Sequence, residues 1–212
     1  MYSYINDKEL RNYLREYCET RIIALQKELK EYFTFSFKLI GSGNNRLMMV
    51  NGKNNSVDLD YNLTIQRDKK QLFSNPEKIK KLFMSAFQKV CNKNVKTSDS
   101  TQVITCVVGK VGKYTFSFDI AIMAEGNDGY IYKIVNDKTV QPTRYIWNKI
   151  PKSKNIDYKF LTLKQNGYWE DIKEIYLEKK NKYLVTNNDK HSFSIFIETI
   201  NEVIQKFHLP LW

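Results

Sequence analysis

Apolar residues recur near the start of the chain at steps of three and four: Leu10, Leu14, Tyr17, Cys18, Ile22, Leu25 and Leu29, with charges between them. That spacing predicts one amphipathic helix over residues 7–33. The period then drops to two. Phe35, Phe37 and Leu39 alternate with Thr34, Ser36 and Lys38, the pattern of a half-buried strand over residues 34–40. Gly41-Ser42-Gly43-Asn44-Asn45 breaks it, residues 46–50 read as a short helix, and residues 51–56 carry loop chemistry.

Residues 57–66 give the cleanest alternation in the chain. Val57, Leu59, Tyr61, Leu63 and Ile65 point one way, and Asp58, Asp60, Asn62, Thr64 and Gln66 the other. Asn75-Pro76 then caps a helix whose Ile79, Leu82, Phe83, Ala86, Phe87 and Val90 form a single stripe. A strand is expected over 101–108 and another over 114–124, with Phe116, Phe118, Ile120 and Ile122 on one face and Thr115, Ser117, Asp119 and Ala121 on the other. After the turn Glu125-Gly-Asn-Asp-Gly129, residues 130–135 are expected to pair back as a hairpin. Beyond Pro142 the texture changes. Residues 149–159, basic and interrupted by proline, read as a connector, and 168–182 and 192–207 as amphipathic helices. The order of elements predicts an α+β or mixed α/β domain, or one domain with a small helical annex.

Composition narrows the class. Lys+Arg number 34 against 23 Asp+Glu, a formal net charge of +11, which favours anionic partners such as nucleotides, nucleic acid or an acidic protein. A plain solvated basic surface accounts for the same charge. No stretch approaches the ~18–20 uncharged apolar residues of a membrane span, and the start lacks the order of a signal peptide. Cys18, Cys91 and Cys106 are scattered and odd in number, so a disulfide scaffold or structural zinc is not expected and a reducing cytoplasm is.

Asp58 and Asp60 stand at i and i+2 of a strand, so both carboxylates leave one face, roughly 6.5–7 Å apart along the chain. Asp119 occupies the polar face of another strand. Should the two strands be neighbours, three carboxylates converge. Two unit charges at ~4 Å cost about 4 kcal/mol at an effective dielectric of 20. A hard, all-oxygen set of this kind favours Mg²⁺ completed by substrate phosphates; the alternative is a wet-faced sheet with three unrelated acids. Gly41-Ser42-Gly43, between a strand and a helix, offers backbone N–H groups to a phosphate, or is a tight turn. It is neither a P-loop nor a dinucleotide fingerprint, since no Gly-Lys-Ser/Thr follows and Arg46 stands where a third glycine belongs.

Leu39-Ile40-Gly41-Ser42, then Val57-Asp58-Leu59-Asp60-Tyr61, then Phe118-Asp119-Ile120 resembles the nucleotidyltransferase superfamily of the DNA polymerase β type. The matching elements run over residues 34–135. The resemblance implies a mixed sheet flanked by helices, with a catalytic domain over 1–145 that includes the N-terminal helix, and a helical region over 146–212 packed against it. It implies Asp58, Asp60 and Asp119 as ligands of Mg²⁺ or Mn²⁺, with Asp119 also the candidate base. Gly41 and Ser42 become triphosphate contacts, and transfer of a nucleoside monophosphate from a nucleoside triphosphate to a hydroxyl acceptor becomes the expected reaction. The acceptor stays open among RNA, a nucleotide, a protein and a small molecule. The stretch between Ser42 and Asp58 is long for the family, which leaves Asn44 and Asn45 without a role.

Weaker candidates surround this set. Lys190 and Ser192, at the start of the last helix, suit phosphate binding or an ordinary cap. Lys164, Lys179 and Lys180 suit a phosphate-facing cleft or plain solvent. Tyr176, Trp147 and Trp169 suit base stacking or the core, and His191 is a remote candidate base. Two other readings stand beside catalysis. One is a non-catalytic module with this fold, antitoxin-like or RNA-binding; the other is an unrelated basic nucleic-acid binder, although no helix-turn-helix, zinc-finger or aromatic RNA-binding signature is present.

Overall fold

The computed structural model describes every residue except 45–46, 92–94, 141, 143, 152–154, 187–189, 191 and 211–212, and describes Ser42 and Asn44 by their backbone alone. Its strands are β1 (Tyr2–Tyr4), β2 (Phe33–Ile40), β3 (Met49–Asn51), β4 (Ser56–Asp68), β5 (Lys96–Asp99), β6 (Ile104–Val111), β7 (Tyr114–Glu125), β8 (Ile131–Asp137) and β9 (Arg144–Lys149). Its helices are α1 (Lys8–Glu28), α2 (Gly41–Asn44), α3 (Pro76–Val90), α4 (Ile156–Gln165), α5 (Trp169–Val185) and α6 (Ser192–Lys206).

All the strands join one mixed sheet, at whose centre β4 and β7 run parallel from Ser56↔Thr115 to Ile65↔Ala124. Antiparallel β2 and β3 share the outer edge of β4, and β6 and β8 that of β7. A parallel pair needs a crossover, and α3 lies on it. Asn75 caps α3 by accepting the Lys78 N–H at 2.9 Å, and Pro76 occupies its first turn. Asp7 likewise caps α1, accepting the Leu10 N–H at 3.0 Å.

Period two along the strands and period 3.6 along the helices meet on one face. Leu14, Cys18, Ile22 and Leu25 of α1 and Ile79, Phe83 and Phe87 of α3 pack on Val57, Leu59, Tyr61 and Leu63 of β4 and Phe116, Phe118, Ile120 and Ile122 of β7. A second apolar cluster joins Leu47 and Met49 to Ile156, Phe160, Leu163, Ile172, Tyr176, Phe196 and Ile200 from α4, α5 and α6. Helices α4 and α6 and the polar face of the sheet line a common cleft of about 1630 Å³. Among the described residues no helix is long and apolar enough to cross a membrane.

Several elements differ from expectation. The helix expected at 46–50 is replaced by α2, one turn earlier, and by the short strand β3 between β1 and β4. Met49 and Val50 pair outward to β1, and the turn after Asn51 returns the chain into β4. Arg46 and Asn45 lie outside the described residues. Of the basic connector expected at 149–159, Lys149 ends β9 and 156–159 begin α4, while 152–154 lie outside the described residues; the Pro and Lys residues of this stretch hide the Ile156, Phe160, Leu163 stripe in the sequence. The strand expected from residue 101 begins at Ile104, because 100–103 turns back with the Ser100 N–H donating to the Val103 carbonyl at 3.0 Å. The first helix stops at Glu28 rather than 33, and β1 and β5 have no counterpart in the pattern.

Phe83 sits between Phe33 and Phe35 at ring-centroid distances of 5.5 and 5.3 Å and is fully buried. Truncating it leaves a cavity between helix and sheet. Phe83→Ala is expected to lower the free energy of unfolding by about 3–5 kcal/mol, read by urea denaturation with an unchanged m-value.

Candidate functional site

The parallel register of β4 and β7 puts Asp60 directly beside Asp119 and Asp58 beside Ser117. With neighbouring strands about 4.8 Å apart, all three aspartates rise from the polar face within one patch. The Ser117 hydroxyl donates to Asp58 Oδ1. Thr105, opposite Asp119 in the β6·β7 ladder, supplies a hydrogen bond to the Asp119 carboxylate.

The patch is electrostatically costly. Burial, then the Asp119 and Asp58 charges, push the Asp60 pKa up to about 6, and Lys180 pulls against them. Burial also raises Asp119, with Asp58 adding to it, while the Thr105 hydrogen bond and Lys80 oppose. Asp58 and Asp119 are engaged with hydroxyls, and among the described residues no group of three or more His, Cys, Asp or Glu is arranged to hold a metal ion.

Gly41 borders the patch. Its φ is +63°, and a Cβ there would lie 3.3 Å from Asp60 Oδ2. The strand end is responsible, since Ile40 is the register partner of Asp60 and the chain turns over that carboxylate. Glycine is suited to the left-handed backbone that this turn requires. Ser42 follows in α2; its side chain, like that of Asn44, lies outside what the structure describes, as does His191 entirely.

Lys180 of α5 lies near enough to Asp60 and Asp58 to feel their charges, and donates to Oγ of the cleft residue Ser192 at 3.0 Å. Burial lowers its pKa, and the two acids work the other way. Strand β1 holds this lysine in place. The Tyr2 N–H donates to Asn181 Oδ1 at 2.6 Å, Asn181 Nδ2 donates to the Tyr2 carbonyl at 3.2 Å, and the Lys180 ammonium lies 4.5 Å from the Tyr2 ring centroid.

The remaining candidates separate. Ser192 lines the cleft; so does Lys190, yet Lys190 is ion-paired with Glu198 and donates to the Tyr183 hydroxyl at 3.2 Å. Lys179 pairs with Glu202 at 2.6 Å and Lys164 lies over the Trp169 ring. Trp169 packs edge-on against Phe160, Trp147 donates its indole N–H to the Phe73 carbonyl at 2.9 Å, and Tyr176 is fully buried in the helical cluster. None of these three rings lines the cleft. Of the rings that do, Tyr61 and Phe196 are buried, and Phe193 is 41% exposed at the start of α6. In sequence it was merged with the apolar stripe of that helix, because Ile197 and Ile200 follow it at helical spacing.

No protein-family model matches the sequence, and no curated protein matches it. Solved structures do match. The Vibrio cholerae cyclic AMP-GMP synthase DncV, in complex with the linear intermediate 5′ pppA(3′,5′)pG, superposes with a TM-score of 0.60 at 9% identity, over 81% of this chain and 60% of that one. The STING-associated c-di-GMP synthase CdnE of Capnocytophaga granulosa gives 0.61 at 16% identity, over 97% and 63%. The cyclic dinucleotide synthase CdnE of Elizabethkingia meningoseptica, with GTP and Apcpp, gives 0.53 at 14%, over 88% and 68%. These neighbours belong to the nucleotidyltransferase superfamily with the polymerase β-like fold, and the chain has that fold. It spans about 60% of the length of the first two.

A raised carboxylate pKa has a consequence for stability. The folded chain keeps on Asp60 a proton that the unfolded chain releases at its ordinary value of 3.8, so stability falls as pH rises from about 4 to about 6. The loss is on the order of 3 kcal/mol and is complete above that window. Asp60→Asn is therefore expected to raise the melting temperature at pH 7.5 and to change it little at pH 4. Equal shifts at both pH values would contradict the charge account.

Proposed function

We propose that this chain is a metal-dependent nucleotidyltransferase, moving a nucleoside monophosphate from a nucleoside triphosphate to a hydroxyl acceptor. The observation that carries the reading is the register pair Asp60 and Asp119, two acids placed side by side beneath Gly41 with Asp58 next to them. The donor set fits a hard divalent cation: three carboxylates, all oxygen, mutually repelling until an ion separates them. Asp58, Asp60 and Asp119 would hold Mg²⁺ or Mn²⁺, which would supply charge neutralisation for the triphosphate and acidity to the attacking hydroxyl.

The chain's own groups do the rest. Gly41 keeps the space above Asp60 open for a phosphate, and Ser42 stands next to it in α2 as a second contact. Lys180 and Ser192 approach from the opposite wall as cation and hydroxyl for the outer phosphates. Lys190, already neutralised by Glu198, is a secondary contact. Phe193 offers a ring face in the cleft for the base. The acceptor oxygen attacks the α-phosphorus, the bond from that phosphorus to the bridging oxygen breaks, and pyrophosphate leaves. The hydroxyl proton passes to Asp119, whose pKa burial raises above the ordinary carboxylate value. Two of the solved neighbours hold nucleotides, the linear intermediate in one and GTP with Apcpp in the other, which supports nucleotide occupancy of an equivalent cleft.

Incubation with each α-labelled nucleoside triphosphate, Mg²⁺ or Mn²⁺ and cell extract is expected to label an acceptor fraction. Asp58→Ala and Asp60→Ala are expected to lose that labelling by more than about a thousandfold while remaining folded, and EDTA to abolish it. Labelling that survives both substitutions would remove the proposal. Nucleotide binding without any transfer would favour a non-catalytic module instead. Lys180→Ala is expected to raise KM for the triphosphate by about tenfold, the worth of one charge-assisted contact, in steady-state kinetics.

A further inference from the structure

The carboxylates occupy one end of the cleft; the other end has the opposite character. There the turn 100–103 meets β8, and Lys133 Nζ donates to Gln102 Oε1 at 2.5 Å. Lys133 is the register partner of Met123, which lies on the same side of β7 as Asp119, four residues further along. At about 3.3 Å per residue, the two positions are about 13 Å apart along the sheet. Lys133, Gln102, Thr101 and Met123 all line the cleft.

Two cations stand at this end against one acid. Lys80, only 1% exposed, is matched by Asp99 at 3.2 Å and also donates to the Val103 carbonyl at 3.1 Å. Lys133 meets no carboxylate among the described residues; its hydrogen-bond partner is a neutral amide. Burial and the neighbouring Lys80 charge both push its pKa down, so its charged form is held at a cost. A half-buried ammonium that faces an open cleft and is repelled by a second lysine is stabilised by any anion that reaches it. Gln102, accepting through its oxygen, keeps its amide N–H groups as further donors beside the same space.

We propose that Lys133 and Gln102 form an anion subsite that holds a phosphate group of the acceptor. The acceptor hydroxyl then lies at the aspartates while its phosphate lies further along the sheet. Such a subsite selects a phosphate-bearing acceptor, a nucleotide or the phosphorylated end of an RNA, over a neutral or polycationic small molecule. The word acceptor rests on the transferase reading; the anion subsite itself rests on the groups around Lys133.

Calorimetric titration of the full chain separates the two. The chain, saturated with a non-hydrolysable ATP analogue and Mg²⁺, is titrated with AMP and GMP, with adenosine and guanosine, and with a short oligoribonucleotide with and without its 5′-phosphate. Phosphorylated ligands are expected to bind at least about tenfold more tightly than their dephosphorylated partners. Lys133→Gln is expected to erase that preference, Lys133→Arg to keep it, and affinity for the analogue to stay unchanged in both, with melting temperatures confirming the fold. Whether mononucleotide or oligonucleotide shows the larger preference identifies the source of the phosphate. Equal binding of phosphorylated and dephosphorylated ligands to the natural chain, or an intact preference in Lys133→Gln, overturns the subsite. Failure of the analogue to bind would instead count against the transferase reading, and the same titrations without it would still decide the subsite.

Discussion

Two aspartates side by side on parallel strands repel each other, and the protein holds them there because the opposite face of those strands cannot be given up. Val57, Leu59, Tyr61 and Leu63 alternate with the acids on β4, as Phe116, Phe118, Ile120 and Ile122 alternate with Ser117 and Asp119 on β7. Since the side-chain period is two, slipping either strand by one residue would turn its apolar row out of the core. Each of those side chains contributes about 1.5–3 kcal/mol by burial. Together they outweigh a carboxylate repulsion of a few kcal/mol several times over. The register that builds the core is therefore the register that gathers the acids.

The second wall of the cleft is built independently. Helices α4, α5 and α6 have their own apolar cluster and reach the sheet layer through Leu47 and Met49. What this wall brings to the acids is a single cation on a fixed helix. Lys180 lies one residue before Asn181, and Asn181 exchanges two hydrogen bonds with the backbone of β1. Its position thus depends on an edge strand far away in sequence. Lys190, nearer to Ser192 along the chain, is turned aside by Glu198 and Tyr183. Proximity in sequence favoured Lys190; packing favours Lys180.

Strong periodicity was legible and weak periodicity was not. The alternation through Asp58 and Asp60 and the stripe from Ile79 to Val90 survive intact as β4 and α3 because apolar spacing alone determines which face is buried. Short edge strands such as β1 and β5 bury few residues and owe their existence to a partner, so their sequences carry little trace of them. The start of α4 was masked by Pro151 and the surrounding lysines, and Phe193 by the stripe it joins. Neighbourhood across the sheet was the least legible feature of all. Nothing local tells that Asp119 falls opposite Asp60 rather than a turn away, and only the motif order pointed to it.

Within the cleft, Asp60 and Asp119 lie near Gly41 and Lys133 lies further along the sheet. A structural role explains neither position. Asparagine at position 60 would occupy the same space without the charge that burial and two neighbouring acids penalise, and a neutral side chain at 133 could still meet Gln102. The burial of charge is offset on Asp60 by Lys180 alone and on Lys133 by no acid among the described residues. Local conflict with the fold, gathered around a cleft of this size, is the physical signature of a site shaped by what enters it. A ligand that brings cations to one end and a phosphate to the other relieves both conflicts at once.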